Sequence, residues 1–447
     1  NSMSEKEIDV DFEKRYKYPT NIVEKRFNDK ILIISVETAN WIVLENEKQR
    51  KIFYELKERS IQEVVNDIRE IDFDMMDLIY VLTQLEAKQF ENTNIKGISN
   101  NGLCIYLTNK CNLRCKHCYM YAGTKNNDEL TTEEVISILT EFKMKGGEVV
   151  TFTGGEVTER EDIDLILKHS HNTGLINTVL TNGVAWNDEL IERCNEYINE
   201  VQISIDGYDE ISNSKVRGTG NFNLALNNVD KFIKKGVRVS VAVTPLFNDL
   251  KNDKEKYIIF AKKLINKYRN KDFHIKFNFE LLDGRELKAN TQENKEYSKI
   301  MDEIVEACYT GYKEKEFIIN HKENQIMDNC GYGGITISST GDIYCCNRIH
   351  ELKSYANIRN NNFSEIMEMS NRVVNLSNIN NLEPCNKCEL KYICGGGCRI
   401  VNFNELISIK KKDIINEKHK FIRKACSEDI KKKYYNLMIS TNERLFK

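Results

Sequence analysis

The sequence has no run of about 18 apolar residues such as a bilayer-spanning helix needs, and its charged beginning, residues 1–15, holds no signal-peptide core. No membrane partner and no export are expected, and the expected location is the cytoplasm. Nor is there a basic excess. Lys and Arg number 65 against 68 Asp and Glu, a net of −3, so a nucleic-acid backbone is not the expected partner. Disorder is disfavoured too, because 40% hydrophobic and 9% aromatic residues can build cores. At roughly 100–200 residues per domain, 447 residues predict two to four domains. Asn1 and Ser2 ahead of Met3 read as an expression scar and carry no fold information.

What the chain has in quantity is cysteine, fourteen in all. A reducing cytosol keeps thiols free, so the expected role is metal ligation. Cys111, Cys115 and Cys118 form one tight group, and Cys330, Cys345, Cys346, Cys385, Cys388, Cys394, Cys398 and Cys426 fall in the last third. Cys104, Cys194 and Cys308 stand apart and read as small buried hydrophobes.

Residues 21–28, 30–37 and 41–46 are β-branched-rich runs, followed by helical patterns over 47–56, 60–68 and 73–89, with Ser60 and Glu63 as a capping box. Three strands and three helices predict a small winged-helix unit, and 96–101 reads as a linker. From 102 to about 310 the pattern alternates. Strands are expected at 103–108, 148–153, 176–181, 201–206, 237–243 and 274–280. Helices are expected at 131–145, 162–173, 188–197, 221–235, 255–268 and 293–309. Six βα units predict an α/β fold, a parallel sheet curving into a partial barrel with its active face at the strand ends. Beyond Ile318 the chain turns Asn- and Cys-rich with little periodicity, which predicts a domain organised around metal rather than around an apolar core.

Cys111-Asn-Leu-Arg-Cys115-Lys-His-Cys118-Tyr119 places three thiolates in a Cys-x3-Cys-x2-Cys loop directly after the first of these strands. Three cysteines can hold three irons of a [4Fe–4S] cluster and leave the fourth iron to another ligand. Zinc would ask for a fourth protein ligand, and His117, next to Cys118, is badly placed to supply it. The loop resembles the signature of the radical S-adenosylmethionine (SAM) enzymes, whose fold is a partial (β/α)6 barrel. That resemblance implies that SAM binds the open iron and yields a 5′-deoxyadenosyl radical. Other segments are similar residue by residue. Thr153-Gly154-Gly155-Glu156 resembles the segment that approaches the methionine amino group; Ser204-Ile205-Asp206-Gly207 and Arg217-Gly218 resemble ribose and carboxylate contacts. Asn182 is a weaker match of the same kind, His117 stands at a position that packs near adenine in the family, and Tyr119 is a further candidate SAM contact. Val157 departs from the family, which commonly has proline there, and His117 departs where an aromatic residue is common.

Cys330-x10-Gly341-x4-Cys346, then Cys385-x2-Cys388-x5-Cys394-x3-Cys398, then Cys426, resembles the seven-cysteine SPASM extension of peptide-modifying radical SAM enzymes. The resemblance gives Cys330, Cys346 and Cys398 to a first auxiliary cluster and Cys385, Cys388, Cys394 and Cys426 to a second, hence three [4Fe–4S] clusters with the SAM-binding one. Zinc-ribbon chemistry is the alternative for the Cys-x2-Cys group. Seven thiolates leave the first auxiliary cluster one short, since 321–329 contains no cysteine, and an open iron for a substrate thiol is expected there. Cys345, His321 or water are the rivals for that position.

The first 95 residues carry 14 Lys and Arg against 20 Asp and Glu, a net of −6, which opposes DNA binding by a winged helix. Joined to such an enzyme, the unit resembles the RiPP recognition element, which captures a precursor's leader as an added strand, here expected at Trp41, Ile42, Val43 and Leu44. The order of parts, 1–95, 96–317 and 318–447, is similar to the SCIFF maturases. That similarity implies thioether links between a cysteine sulfur and a carbon of another residue in a Cys-rich precursor peptide, with flavodoxin or ferredoxin as electron donor. Carbon–carbon links or side-chain oxidation are the near alternative, and a DNA-binding iron–sulfur sensor the distant one.

Overall fold

In the computed structural model, residues 10–67, 74–99, 101–403, 406, 421–423 and 426–446 are described. The expected scar at Asn1 and Ser2, the helix limits at Ile68 and Phe73 and linker residue Asn100 lie outside them.

Strands β1 (Ile22–Phe27), β2 (Lys30–Ser35) and β3 (Asn40–Leu44) form an antiparallel meander. Asn28 and Asp29, at φ 49° and 58°, make the two-residue turn whose left-handed backbone suits Asn and Asp. Helices α1 (Glu47–Glu58), α2 (Ile61–Asn66) and α3 (Met75–Ala87) follow, α2 opened by the Ser60–Glu63 capping box. The sheet is buried on both sides. Alternation sends Ile31, Ile33, Ile42 and Leu44 into the helices, and Leu32, Ile34, Trp41 and Val43 toward residues of the chain's last third.

Six parallel strands come next in sequence order: β4 (Gly102–Tyr106), β5 (Val149–Thr153), β6 (Ile176–Thr181), β7 (Glu200–Ser204), β8 (Arg238–Val243) and β9 (Phe273–Phe277). Between and after them lie α4 (Thr132–Met144), α5 (Ile163–Asn172), α6 (Asp188–Cys194), α7 (Glu210–Arg217), α8 (Asn221–Lys234), α9 (Phe247–Lys267) and α10 (Thr291–Cys308). In-register Ile105, Phe152, Val179, Val201 and Val239 are fully buried in the core that these helices share. The alternate positions Thr153, Leu180, Gln202, Ser204 and Ala242 line a cavity.

The sheet does not stop at the expected boundary after 317. Following α11 (Tyr312–Asn320), strand β10 (Ile335–Ile337) pairs in parallel with β4, and β11 (Asp342–Tyr344) and β12 (Ala356–Asn357) extend it to nine strands. The remaining described elements are α12 (Phe363–Leu376), β13 (Leu382–Glu383), α13 (Lys391–Cys394), α14 (Arg399–Asn402), β14 (Phe421–Ile422) and α15 (Glu428–Phe446). The expectation that this third lacks an apolar core needs correction. Val373, Leu376, Phe403, Phe421 and Met438 form one cluster with Leu32, Ile34, Trp41 and Val43 of the first sheet. Asn-rich spacers hide that periodicity, yet 363, 366, 373 and 376 fall at helical spacing. Among the described residues no helix is long and apolar enough to cross a membrane.

Candidate active site

The loop after β4 carries Cys111, Cys115 and Cys118, and all three line a cavity of about 310 Å³ at the C-terminal ends of the strands. Its foundation is a close crossing with the end of β5. Gly155 N donates to Thr108 O at 2.7 Å and Glu156 N to Lys110 O at 2.9 Å. A Cβ on Gly155 would stand 2.3 Å from Lys110 O, and one on Gly154 2.6 Å from Thr108 O, so only glycine lets the two segments meet. Both glycines also line the cavity.

Glu156 does not line it. The carboxylate is buried and accepts from Thr181 Oγ1 at 2.5 Å, Asn182 N at 2.7 Å, and Thr158 N and Oγ1 at 3.2 and 3.0 Å. It ties β5 to β6 and holds Asn182 on the wall, where Asn182 Nδ2 donates to Asn112 Oδ1 at 2.8 Å. Burial pushes its carboxyl up, and these donors oppose the shift.

Asp206 is a second buried clamp, at the end of β7. It accepts from His117 Nε2 at 2.8 Å and Arg217 Nε at 2.5 Å on one oxygen, and from Thr244 N at 2.8 Å on the other. Burial alone would raise it, but Arg217 and His117 outweigh burial and keep it below the ordinary carboxylate value. Arg217 Nη1 in turn reaches Cys115 Sγ at 3.8 Å. The Cys115 thiol is pushed up by burial, and Arg217 is the largest opposing influence; Cys111 is pushed up to about 11. Asp206 thus fixes both His117 and Arg217 beside the thiols. The sequence pointed to its segment but not to the residue. A buried acid at a strand end, eleven positions before an Arg, was the available signal. Ser204 and Tyr119 line the same cavity, and Tyr119 OH lies 3.1 Å from Tyr106 OH.

The later cysteines gather in two places. Cys385, Cys388, Cys394 and Cys426 rim one cavity of about 270 Å³, together with Arg423 and Lys431. Cys330, Cys346 and Cys398 lie within electrostatic range of one another: burial raises the Cys346 thiol, and Cys330 and Cys398 raise it further. The turn that brings Cys394 and Cys398 to separate groups uses Gly395, Gly396 and Gly397, at φ 64°, 78° and 70°, which side chains rarely adopt. Buried Arg399 gathers its carbonyls, donating to Gly395 O at 2.6 Å and Gly397 O at 2.7 Å. Cys345 is buried in the apolar cluster with Tyr332, against which Cys346 also packs, and burial pushes its thiol up to about 12. His321 packs on Phe317 and Trp41, at centroid distances of 4.6 and 6.3 Å. Cys104, read from sequence as isolated, is half-buried and lies within electrostatic range of Cys346. Each of the fourteen cysteines is a free thiol. Among the described residues no three His, Cys, Asp or Glu side chains close on a point as around a single metal ion.

Trp41, Ile42, Val43 and Leu44, expected to receive an added strand, lie in β3 at the edge of the three-stranded sheet, and side chains bond the outer backbone groups of that edge. The side chains of Trp41 and Val43 are buried, while backbone groups of both point away from β2 and meet side chains. Val43 N donates to Gln84 Oε1 at 2.9 Å, and Gln84 Nε2 donates to Val43 O at 2.8 Å. Lys88 Nζ donates to Trp41 O at 2.7 Å, and Trp41 N to Asn40 Oδ1 at 2.9 Å. Asn442 of α15 bonds both Gln84 and Lys88. The edge is closed by side chains from α3 and from a helix 400 residues downstream, which no local pattern reveals.

Residues 105–261 match the radical SAM superfamily. The chain carries a radical SAM domain. Over 141 residues it is 32% identical to the Fe-coproporphyrin III synthase of Methanosarcina barkeri, covering 31% of this chain and 35% of that protein. Over 143 residues it is 34% identical to the sporulation killing factor maturation protein SkfB of Bacillus subtilis, covering 31% and 34%. The chain thus matches about a third of the length of these relatives. The structure of native anSMEcpe with bound AdoMet and Cp18Cys peptide superposes with a TM-score of 0.56 at 17% identity, over 78% of this chain and all of that one. At that identity the likeness is one of fold.

Proposed function

We propose that the protein is a radical SAM peptide maturase that joins a cysteine sulfur to a carbon of another residue in a Cys-rich precursor peptide. The observation that carries this reading is the second cysteine set: Cys426, 28 positions beyond Cys398, rims one cavity with Cys385, Cys388 and Cys394. The maturation role of SkfB and the peptide bound to anSMEcpe support the substrate class.

The residues fit the groups implied. Cys111, Cys115 and Cys118 would hold the SAM-binding [4Fe–4S] cluster, Cys330, Cys346 and Cys398 a first auxiliary cluster, and the Cys385 set a second. Arg423 draws the Cys385 thiol toward its thiolate form and Lys431 does so for Cys388, against burial in both cases. When bound and reduced by a donor of the flavodoxin or ferredoxin kind, the first cluster with SAM supplies a hydrogen-abstracting radical. Gly154, Gly155, Asn182, Ser204, Arg217, His117 and Tyr119 would surround SAM, with Glu156 acting through the Asn182 it positions. Residues 1–95 would serve peptide recognition, 96–317 the radical chemistry and 318–447 the auxiliary clusters. A leader strand at β3 would first have to displace Gln84.

The test is anaerobic reconstitution with iron and sulfide, then incubation with SAM, a reductant and each short Cys-rich peptide found by sequencing the neighbouring open reading frames. Each thioether should remove two hydrogens from the peptide and leave one cysteine resistant to iodoacetamide. A link that leaves every cysteine alkylatable would refute the thioether reading in favour of carbon–carbon chemistry.

A further inference from the structure

A second cavity, of about 450 Å³, adjoins the first. Tyr119, Glu280, Leu281 and Leu282 line both. Its far wall is Arg348, His350 and Glu351, from the segment that follows Cys346. The imidazole of His350 lies on the Tyr119 ring, with centroids 4.5 Å apart and planes at 38°. Tyr119 is itself anchored: its hydroxyl meets that of Tyr106, which donates to Asn347 O at 2.8 Å. The histidine is therefore held at a defined place between the Cys111–Cys118 loop and the Cys346 segment.

Its charged neighbours pair with one another, although buried Arg348 Nε and Glu351 Oε2 have no hydrogen-bond partner among the described residues. Arg348 pairs with Glu280 at 3.2 Å and with Glu351 at 2.7 Å. Glu351 Oε1 stands 3.7 Å from His350 Nε2, too far for a hydrogen bond. Among the described residues neither ring nitrogen of His350 has a hydrogen-bond partner. Burial favours the neutral ring; Glu351 is the largest opposing influence, Arg348 reinforces burial, and Asp283 opposes it least. A neutral imidazole with free nitrogens on a cavity wall can accept a proton.

We propose that the second cavity seats the cysteine side chain of the peptide substrate and that His350 accepts its thiol proton. This rests on the thioether reading above. The S–H bond breaks heterolytically: the proton passes to an imidazole nitrogen and the sulfur keeps the pair. For each link one C–H and one S–H bond break and one C–S bond forms. The proton passes to His350; the hydrogen atom would leave to a 5′-deoxyadenosyl radical supplied by SAM, and the surplus electron would go to an oxidised iron–sulfur cluster held by the later cysteines.

The test uses full-length reconstituted enzyme, SAM, reductant and the precursor peptide deuterated at the attacked carbon, comparing wild type with His350→Gln and His350→Ala. Peptide affinity, read by fluorescence anisotropy, should stay within about twofold, and deuterium should still pass to 5′-deoxyadenosine. Thioether formation should fall about 10²- to 10⁴-fold, as for loss of a general base. The acid limb of the wild-type pH profile, where His350 takes a proton from solvent and cannot accept one from the thiol, should disappear. Added imidazole should restore part of the His350→Ala rate. Wild-type crosslinking with an unchanged pH profile in both variants overturns the proposal, and so does joint loss of peptide binding and deuterium transfer without imidazole rescue, which marks a structural role. If wild type itself forms no thioether, the function reading fails and takes this proposal with it.

Discussion

Replacing Asp206 by Asn removes one charge and leaves the shape of the site intact, so it measures what the clamp contributes. Asp206 is 1% exposed, and its partners Arg217 and His117 are 11% and 13% exposed, so water screens the arrangement little. Arg217 cannot shed its proton. An amide oxygen can still serve one set of donors, but the amide nitrogen then faces either Thr244 N–H or the Arg217 and His117 pair. Loss of the two charge-assisted bonds, at about 1.5–3 kcal/mol each, agrees with the roughly 3–5 kcal/mol expected when one partner of a buried pair is removed. The assay is urea unfolding in a Trp41→Phe background. The remaining tryptophan, Trp186, lies in the barrel core with Nε1 bonded to Thr181 Oγ1 at 3.0 Å and reports that unit. Asp206→Asn should cost about 3–5 kcal/mol, and adding Arg217→Met should recover much of it. The pH dependence has a definite sign. Because the folded carboxyl lies below its ordinary value of 3.8, its contribution is complete above that value and is lost only as pH falls through the lower folded value. The Asn variant should lack that acid-side loss. A cost under about 1 kcal/mol, the size of an exposed pair, refutes the clamp.

Changing Cys111, Cys115 and Cys118 together to Ala should lower iron from about twelve to about eight per chain and abolish SAM cleavage; loss of all iron, or zinc in its place, would sink the cluster assignment. Gln84→Ala strips Val43 of both backbone partners and should cost about 1–3 kcal/mol, with faster amide exchange at Val43. If a leader adds to β3, its affinity should rise in that variant; an unchanged dissociation constant places the leader elsewhere. His321 is pushed down to about 4, chiefly by burial, with Lys88 adding to it. Stability should therefore hold above pH 6.5 and fall toward pH 4 by at most about 1.4 kcal/mol per pH unit, as the unfolded chain takes the proton first. An equal fall in His321→Gln counts against this.

Much of the barrel was legible because its elements announce themselves locally. The strand expected at 176–181 is Ile176–Thr181, and the helix expected at 221–235 is Asn221–Lys234. The cysteine spacings were legible for the same reason. Helix α7 was missed, since Glu-Ile-Ser-Asn-Ser-Lys-Val-Arg has almost no apolar period; it is set instead by the Asp209 cap, which accepts from Ser212 N at 2.8 Å. That helix is what carries Arg217 to the thiols. What lay beyond reach was pairing between distant segments: Trp41 Nε1 on Met438 O at 3.2 Å, and Asn442 on the β3 edge. Sequence marked residues 41–44 as strand, and only their contacts decide whether that strand is an edge or a core.

The two buried carboxylates bear on how the chemistry is divided. Glu156 and Asp206 are each satisfied by donors from the scaffold, so neither is free to move a proton in the first cavity. The carboxylate that does line it, Glu280, is paired with Arg348, and the imidazole that lines it, His117, is bonded to Asp206. A wall whose acids and bases are all committed suits homolytic chemistry, in which a stray proton acceptor beside a radical serves no purpose. The uncommitted base, His350, stands one aromatic ring away, across Tyr119. Hydrogen-atom transfer and proton transfer can then proceed in adjoining spaces with Tyr119 as their shared wall, which makes the identity of that residue, and not only its bulk, part of the design. Tyr119→Phe keeps the tilted ring contact with His350 but cuts the bond to Tyr106. It should therefore blur the position of the imidazole, and slow crosslinking, more than it slows hydrogen abstraction, measured as the ratio of thioether to 5′-deoxyadenosine formed. A ratio equal to that of wild type would show that the ring contact alone holds the base.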